Sequence, residues 1–226
     1  MRNDSCGESR LSARWRHRIS SATAIPFRSM SASEQREAIL TAALELFGRF
    51  GFKKTSIDEI ATKARIGKGT IYLHFSSKEE LFGGVVKSVW GKALHALTVR
   101  VRRAPTPEAK VRAYMQGRVN QLVRLAEELG VRNETVFELR TAAEVYITEL
   151  RETEQALLQA VLVEGTEAGV FQLDQPDALA LAIQTALQGI DRVVIDSRRG
   201  PPLRSAVDVL CDVVIRGLAG RSIRNL

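Results

Sequence analysis

Three helix signals follow one another closely between residues 31 and 75, and they constrain the fold more than any other feature of the chain. In the first helix, apolar residues recur at helical spacing: Ile39, Leu40, Ala43, Leu46, Phe47 and Phe50. Three Ser–Glu pairs have the spacing of capping boxes at helix starts: Ser31 with Glu34, Ser56 with Glu59, and Ser77 with Glu80. A turn at residues 65–67 precedes a short helix from Lys68 to about Phe75. Two short helices joined by a tight turn predict a helix-turn-helix.

The second helix of this unit is suited to reading DNA. The major groove is about 12 Å wide and admits one helix, which must protrude and be supported from behind. Ile71 and Phe75 can anchor this helix, and its exposed face carries Lys68, Thr70, Tyr72 and His74. A plain helical hairpin inside a core is the alternative. A phosphate-binding loop at residues 67–70 is rejected, because the GxxxxGK[ST] pattern fails and no strand precedes it.

The stretch REAILTAALELFGRFGFKKTSIDEIATKARIGKGTIYLHFSSKEELF, residues 36–82, resembles the DNA-binding domain of TetR/AcrR-type transcriptional regulators. The resemblance implies that residues 68–74 form the recognition helix. It also implies operator contacts from Lys68, Gly69, Thr70, Tyr72 and His74, and phosphate contacts from Thr55, Ser56 and Lys78. Two positions depart from the usual pattern, Arg65 in the turn and Gly67 at the cap. Glycine is an acceptable cap, and Arg65 is interpreted as a solvated turn residue in preference to a further phosphate contact.

Positive charge is concentrated at the start of the chain. The formal net charge is +7, and residues 1–30 contain six arginines but only two acidic residues. No apolar period extends through this segment, so we interpret residues 1–30 as disordered. Three interpretations stay open: a basic arm that touches DNA phosphates, a transit peptide, or sequence upstream of a native start at Met30. The third is favoured, because Met30 lies directly before the first helix.

The composition argues against several classes of protein. Cys6, Cys211 and the three histidines form no ligand-spaced set, so we expect neither a disulfide framework nor a metal site. No apolar run has the length of a membrane span, and no secretory signal is recognisable, so we expect a cytoplasmic protein. Common hydrolase, metalloprotease and dinucleotide-binding motifs are missing. We therefore expect no catalytic residue and no cofactor.

Helical patterns continue through the rest of the chain. The expected helices cover about 78–101, 107–129, 133–168 (as one or two helices), 176–197 and 203–219, with a proline-containing break before the last. No alternating strand pattern is found, so the predicted fold class is all-α. We expect an N-terminal helix-turn-helix domain at residues 31–76. By the family resemblance, residues 77–226 form a helical ligand-binding and dimerisation domain.

The last two predicted helices carry long apolar stripes. One contains Leu179, Ile183, Leu187, Ile190 and Val194, and the other contains Leu203, Val207, Leu210, Val214 and Leu218. Such stripes face either the core of their own subunit or a second copy in a two-fold four-helix bundle. The resemblance favours a homodimer with these residues at its interface. A homodimer is also favoured independently of the resemblance, because one short recognition helix makes few DNA contacts and a dimer adds a second half-site.

The resemblance also implies a ligand cavity among the middle helices, with few polar groups in an apolar lining. The candidates are Tyr114, Met115, Arg118, Phe137, Arg140, Tyr146 and Gln184. Each has a structural alternative, since aromatic residues at helical spacing usually pack in cores, and Arg118 or Arg140 can pair with Glu144. The pair Gly83-Gly84 weakens the helix that joins the two units. We interpret it either as a pivot that responds to ligand or as a site of close packing.

Together these features predict a TetR-type DNA-binding regulator, a dimeric repressor that a small-molecule ligand releases from a near-palindromic operator in double-stranded DNA. Two recognition helices would enter successive major grooves roughly 34–36 Å apart. Two alternatives from other classes stay open. One is a DNA-binding protein without a small-molecule ligand, and the other is an enzyme, for which the sequence contains no recognised motif.

Overall fold

The computed structural model describes residues 30–129, 133–197 and 200–220. Its helices are α1 (Ala32–Phe50), α2 (Ile57–Ala64), α3 (Lys68–His74), α4 (Lys78–Arg103), α5 (Pro107–Leu129), α6 (Asn133–Glu167), α7 (Pro176–Ser197) and α8 (Gly200–Ala219). The described residues contain no strand, which confirms the all-α prediction. None of the helices in these residues is long and apolar enough to cross a membrane. The basic segment predicted to be disordered lies, up to residue 29, outside the described residues.

Two of the predicted helices need comment: the sequence leaves one open as one or two helices, and the other begins earlier than predicted. The segment after Asn133 forms one helix of 35 residues, α6. The last helix begins at Gly200, so Pro201 and Pro202 belong to its first turn instead of breaking the chain. Prolines are tolerated there because the first N–H groups of a helix have no partner within the helix.

The helix starts follow the predicted caps with one exception. Ser31 with Glu34 and Ser56 with Glu59 form complete capping boxes. At α4, the Ser77 hydroxyl accepts the Glu80 N–H at 3.0 Å. The Glu80 carboxylate, however, accepts the backbone N–H of Ser76 at 2.6 Å instead of that of Ser77. The third predicted box is therefore half formed, since its carboxylate reaches back one residue further.

The buried side chains form two apolar clusters. The N-terminal cluster combines α1, α2 and α3 with the first turns of α4, and it includes Ile39, Phe47 and Ile71. The C-terminal cluster combines the second half of α4 with α5 to α8, and it includes Met115 and Leu158. Helix α6 contributes to both clusters, because its Ile147 lies in the first and its Leu158 in the second. This long helix is thus a rigid connection between the two cores.

The apolar stripes of the last two helices face mainly inward. Ile183, Leu187, Val207 and Leu218 are buried in the subunit's own core. Their predicted part in a dimer interface stays a prediction. Leu179, Ile190, Leu210 and Val214 are half-buried and pack against the same core. The side chains of Val194 and Leu203 lie outside the described part of the chain. Among the described side chains of α7 and α8, the large apolar residues that remain exposed are Leu181, Val209 and Val213.

The paired glycines of α4 lie where the two cores meet. A Cβ added to Gly83 would be 2.6 Å from Cε1 of the Tyr146 ring in α6. A Cβ added to Gly84 would be 2.8 Å from Cε1 of Phe75, which follows α3. Both distances are far inside van der Waals contact, so any larger residue would push a ring away. Close packing therefore accounts for the glycine pair, and the pivot interpretation has no support in this geometry.

Candidate nucleic-acid interface and buried polar cluster

The turn between α2 and α3 is set by one left-handed residue. Arg65 ends α2 with φ 58° and ψ 42°, and it is the one non-glycine residue with positive φ in the described part of the chain. The N–H of Arg65 donates to the Thr62 carbonyl at 3.2 Å, and the N–H of Ile66 donates to the Ala61 carbonyl at 3.1 Å. Gly67 then caps α3 in an extended conformation without a side-chain hydrogen bond. Arg65 is exposed, as expected for a turn residue in water.

Helix α3 has one buried face and one exposed face. Ile71 is completely buried, and Phe75 at the end of the helix is nearly so. Both belong to the N-terminal core, which supports the helix from behind as the sequence predicts. Gly69, Tyr72 and Leu73 are exposed to solvent. Leu73 was missed by sequence reasoning, although its position four residues after Gly69 places it on the predicted reading face.

Lys68 and His74, at the two ends of α3, are connected to neighbouring helices. The Lys68 ammonium donates to Oδ2 of Asp58 in α2 at 2.9 Å, and this carboxylate raises the pKa of Lys68. The pair is exposed, so it contributes little to stability and the lysine remains available to a phosphate. Nε2 of His74 lies 3.3 Å from Oε1 of Gln35 in α1. Thr70 and His74 are half-buried, so they contribute less to the exposed face than Tyr72 does.

Two of the three predicted phosphate-contacting side chains face the protein instead. The Thr55 hydroxyl is buried and lies 2.8 Å from the Gly51 carbonyl oxygen and 3.2 Å from that of Leu46. The Lys78 ammonium donates to the carbonyls of Phe52 and Thr55, each at 3.1 Å, and lies 4.5 Å from the centre of the Phe52 ring. Their side chains therefore position the segment between α1 and α2, and the phosphate contacts predicted for these two residues stay predictions.

Ser56 is exposed at the start of α2. Its hydroxyl accepts the Glu59 N–H at 3.2 Å and donates to Oε2 of Glu59 at 2.7 Å. The same carboxylate accepts the backbone N–H of Ser56, and this hydrogen bond lowers the pKa of Glu59. Of the three predicted phosphate contacts, Ser56 is exposed, Lys78 is half-buried and Thr55 is buried.

A polar cluster is buried inside the C-terminal core. Nε of Arg118 in α5 lies 2.6 Å from Oε1 of Glu154 in α6, and both side chains are more than nine-tenths buried. The Tyr114 hydroxyl lies 3.4 Å from the same carboxylate oxygen, and the guanidinium carbon is 5.9 Å from the Trp90 ring centre. The side chain of Glu144, the partner considered from the sequence, lies outside the described part of the chain, and Glu154 is a partner that the sequence analysis did not name. No sequence signal could identify Glu154, because it lies 36 residues from Arg118 on another helix.

The other ligand-binding candidates are dispersed. Gln184 in α7 is buried, and its amide donates to the Arg151 carbonyl in α6 at 2.8 Å. Met115 is buried and lines an apolar cavity of about 190 Å³ with Ile183, Leu210 and Val214 among its neighbours. Tyr146 contacts the N-terminal core, where its hydroxyl donates to the Glu79 carbonyl at 3.3 Å. The side chains of Phe137 and Arg140 lie outside the described residues.

Comparisons with known proteins agree with this arrangement. The family model "Bacterial regulatory proteins, tetR family" matches residues 39–85. The HTH-type transcriptional regulator RutR of Escherichia coli is 34% identical over 92 residues, which span 39% of this chain and 42% of that protein. The fatty acid metabolism regulator protein of Bacillus subtilis is 24% identical over 161 residues, or 69% of this chain and 79% of that one.

Solved structures extend the likeness to the whole fold. The regulator FadR of Bacillus subtilis in complex with stearoyl-CoA has a TM-score of 0.64 at 18% identity, covering 80% of this chain and 98% of that chain. A TetR-like transcriptional regulator from Rhodococcus sp. RHA1 has a TM-score of 0.60 at 22% identity, covering 85% and 100%. The family model thus identifies residues 39–85 as resembling the DNA-binding part of tetR-family regulators, and the solved structures show that the described helices as a whole share their fold.

Proposed function

We propose that this protein is a transcriptional repressor that binds a near-palindromic operator as a homodimer and leaves it when a small-molecule ligand binds the C-terminal core. The observation that carries the proposal is the exposed face of α3. Lys68, Gly69, Tyr72 and Leu73 are open to solvent, while Ile71 and Phe75 fix the helix to its support. A short protruding helix of this kind fits the major groove. Such a role belongs in the cytoplasm, where the DNA is.

Contact with DNA is tested by mapping protected genomic sites with the full chain. We expect near-palindromic sites that are lost when Lys68→Ala and Tyr72→Ala are combined. The matched control combines Arg102→Ala and Val145→Ala, two exposed positions at the far end of α4 and on α6. The control should protect the same sites as the wild type. Equal, weak and sequence-independent binding by all three proteins would contradict the proposal.

The homodimer is supported by what remains exposed on the last two helices. Leu181 on α7 and Val209 and Val213 on α8 are more than half exposed in the single chain. On the same helices, a Cβ added at Gly189 or Gly217 would have no atom within 4 Å. Helical glycine costs roughly 1 kcal/mol relative to alanine, and nothing near these two positions in the subunit requires it. A second copy packed closely on these helices would bury the exposed side chains, and the absence of a side chain at both glycines would allow that close approach.

Sedimentation velocity of the wild type and of Val213→Asp tests the dimer. We expect a wild-type dimer that Val213→Asp converts to a folded monomer, because a carboxylate would have to be buried in the interface. Val145→Asp is the matched control, since Val145 is equally apolar and more exposed, on α6. A wild-type monomer, or a dimer unaffected by Val213→Asp, would refute this interface.

The ligand response is supported by the position of α6. Its Tyr146 and Ile147 pack on the N-terminal core, and Glu154, two helical turns later, carries the buried ion pair with Arg118. A ligand that separates α5 from α6 must therefore move the segment that supports the helix-turn-helix. Ligand and operator would then favour different positions of α6, and each would weaken the other's binding by the same factor.

Stearoyl-CoA, bound in the FadR structure, is a suitable first probe. We expect it to lower operator affinity, and we expect operator DNA to lower its affinity by an equal factor. Binding of stearoyl-CoA without any change in operator affinity would contradict the coupling. The same titration on the Lys68→Ala/Tyr72→Ala variant measures ligand binding without a contribution from DNA.

A further inference from the structure

Leu73 is the most exposed large apolar residue in the described part of the chain, at 85%. It lies near the end of α3, a helix of seven residues whose opposite side is fixed by the buried Ile71. Its backbone position is therefore held rigidly while its whole side chain projects into solvent. An isolated exposed leucine is unremarkable on most surfaces. On this helix, however, every exposed side chain lies on the face proposed to enter the major groove.

The residues around Leu73 leave room for close contact with a ligand. Gly69 lies one turn earlier on the same side of the helix, and a Cβ added there would have no atom within 4 Å. The neighbouring Tyr72 is half-exposed and offers a second apolar surface. The sequence of α3 contains no acidic residue, so nothing on the helix itself repels a phosphate backbone. The backbone at Gly69 can thus approach the base edges at the floor of the major groove, and the Leu73 side chain can contact the same floor.

The chemistry of leucine restricts what it can recognise there. The side chain has no hydrogen-bond donor or acceptor, so it cannot read the polar edges of guanine, adenine or cytosine. Among the four natural bases, thymine alone presents an apolar group in the major groove, its 5-methyl group. Packing the two groups together removes apolar surface from water, which is favourable and requires no polar partner.

We propose that Leu73 is a specificity-determining residue that packs against the 5-methyl group of a thymine in each operator half-site. This inference rests on the proposed function, because it requires that α3 enters the major groove. It goes further by assigning a base and a functional group to a residue outside the set that the family resemblance marked for operator contact.

Deoxyuridine provides the test, since it lacks the methyl group and keeps the base-pairing edge of thymine. Each thymine of the mapped operator is replaced singly by deoxyuridine, and the Kd of the full-length protein is measured for each duplex at fixed salt. At one thymine per half-site we expect Kd to rise about threefold to fivefold, the effect of one methyl group. Replacing both symmetry-related thymines should raise Kd about tenfold or more.

Leu73→Ala identifies the residue responsible. Because the Leu73 side chain is 85% exposed, the variant should keep the wild-type Tm and bind thymine and deoxyuridine operators equally at that position. Its Kd for the thymine operator should approach the wild-type Kd for the deoxyuridine operator. Val145→Ala, which shortens an apolar side chain 81% exposed on α6, is the matched control and should keep the full methyl discrimination.

Two results would overturn the inference while leaving the proposed function intact. One is specific wild-type binding with no methyl-sensitive thymine in either half-site. The other is a methyl-sensitive thymine whose discrimination is undiminished in Leu73→Ala. Failure of the wild type to bind any sequence specifically on unmodified DNA would instead refute the proposed function, and this inference with it. Measuring the unmodified operator first keeps the two failures apart.

Discussion

The buried ion pair between Arg118 and Glu154 allows a stability prediction with two independent magnitudes. Arg118→Met keeps most of the side-chain volume and removes the guanidinium 2.6 Å from the carboxylate. Removing one partner of a buried pair typically costs about 3–5 kcal/mol. Glu154 can also avoid being an unpaired buried charge by taking up a proton. Protonating a carboxyl group with an unperturbed pKa of about 4.3 costs about 5 kcal/mol at pH 8, and this sets the upper limit of the electrostatic cost. The typical cost of about 3–5 kcal/mol for breaking a buried ion pair lies within this limit.

The same reasoning fixes the sign of the pH dependence. In Arg118→Met, burial raises the pKa of Glu154 in the folded state above its value in the unfolded chain. The folded state then binds more protons, so stability rises as pH falls toward 4.3. At pH 5 the limiting cost is only about 1 kcal/mol, so the variant should recover about 2–4 kcal/mol relative to wild type between pH 8 and pH 5.

Urea unfolding followed by circular dichroism measures this directly. Wild type, Arg118→Met and the double variant Arg118→Met/Glu154→Leu are compared at pH 5 and pH 8 and at one protein concentration, because dimerisation changes apparent stability. The double variant should lie within about 2 kcal/mol of wild type at both pH values, since an apolar pair replaces the ionic one. A loss below about 1 kcal/mol for Arg118→Met at pH 8, or a loss independent of pH, would show that Glu154 is not left as an uncompensated buried charge.

Three further predictions concern the N-terminal core and its caps. Gly83→Ala should destabilise the protein by about 1–3 kcal/mol, because its Cβ would overlap the Tyr146 ring. In the same helix, a Cβ added at Gly91 would have no atom within 4 Å, so Gly91→Ala should stabilise the protein by up to about 1 kcal/mol. Urea unfolding measures both changes. Thr55→Val should cost about 1–3 kcal/mol, because it leaves buried carbonyl groups without their hydroxyl partner, and thermal unfolding would show this. Hydrogen bonds from the capping residues Ser31 and Ser56 lower the pKa of Glu34 and Glu59, and those from Ser76, the residue before the cap of α4, lower the pKa of Glu80. The ionised glutamates therefore stabilise the folded state above about pH 4.3, and this stabilisation is lost as the pH falls below it. Replacing these glutamates with glutamine should reduce stability at pH 7 more than at pH 3, which an acid titration followed by helicity would show.

Much of the DNA-binding unit could be predicted because its signals are local. Capping pairs, helical spacing and the glycines near residue 67 act within a few residues of one another, so the sequence carried them in readable form. The exposed and buried sides of α3 followed from the same spacing. The roles of Thr55 and Lys78 did not, because each depends on carbonyl groups that only the folded turn between α1 and α2 presents to them.

The helix content, the helix-turn-helix and the resemblance to TetR-type regulators could be predicted from the sequence, since they depend on periodicity and on motifs of short range. Whether the apolar stripes of α7 and α8 face the core of their own subunit could be read only from the folded structure. Ile183 and Leu187 have the same spacing whether they meet their own core or a second subunit, and only packing assigns them to the core. It alone also joined Arg118 to Glu154, because the pair depends on the mutual register of two long helices. Contacts between distant segments are fixed by shape and burial, which no local pattern encodes.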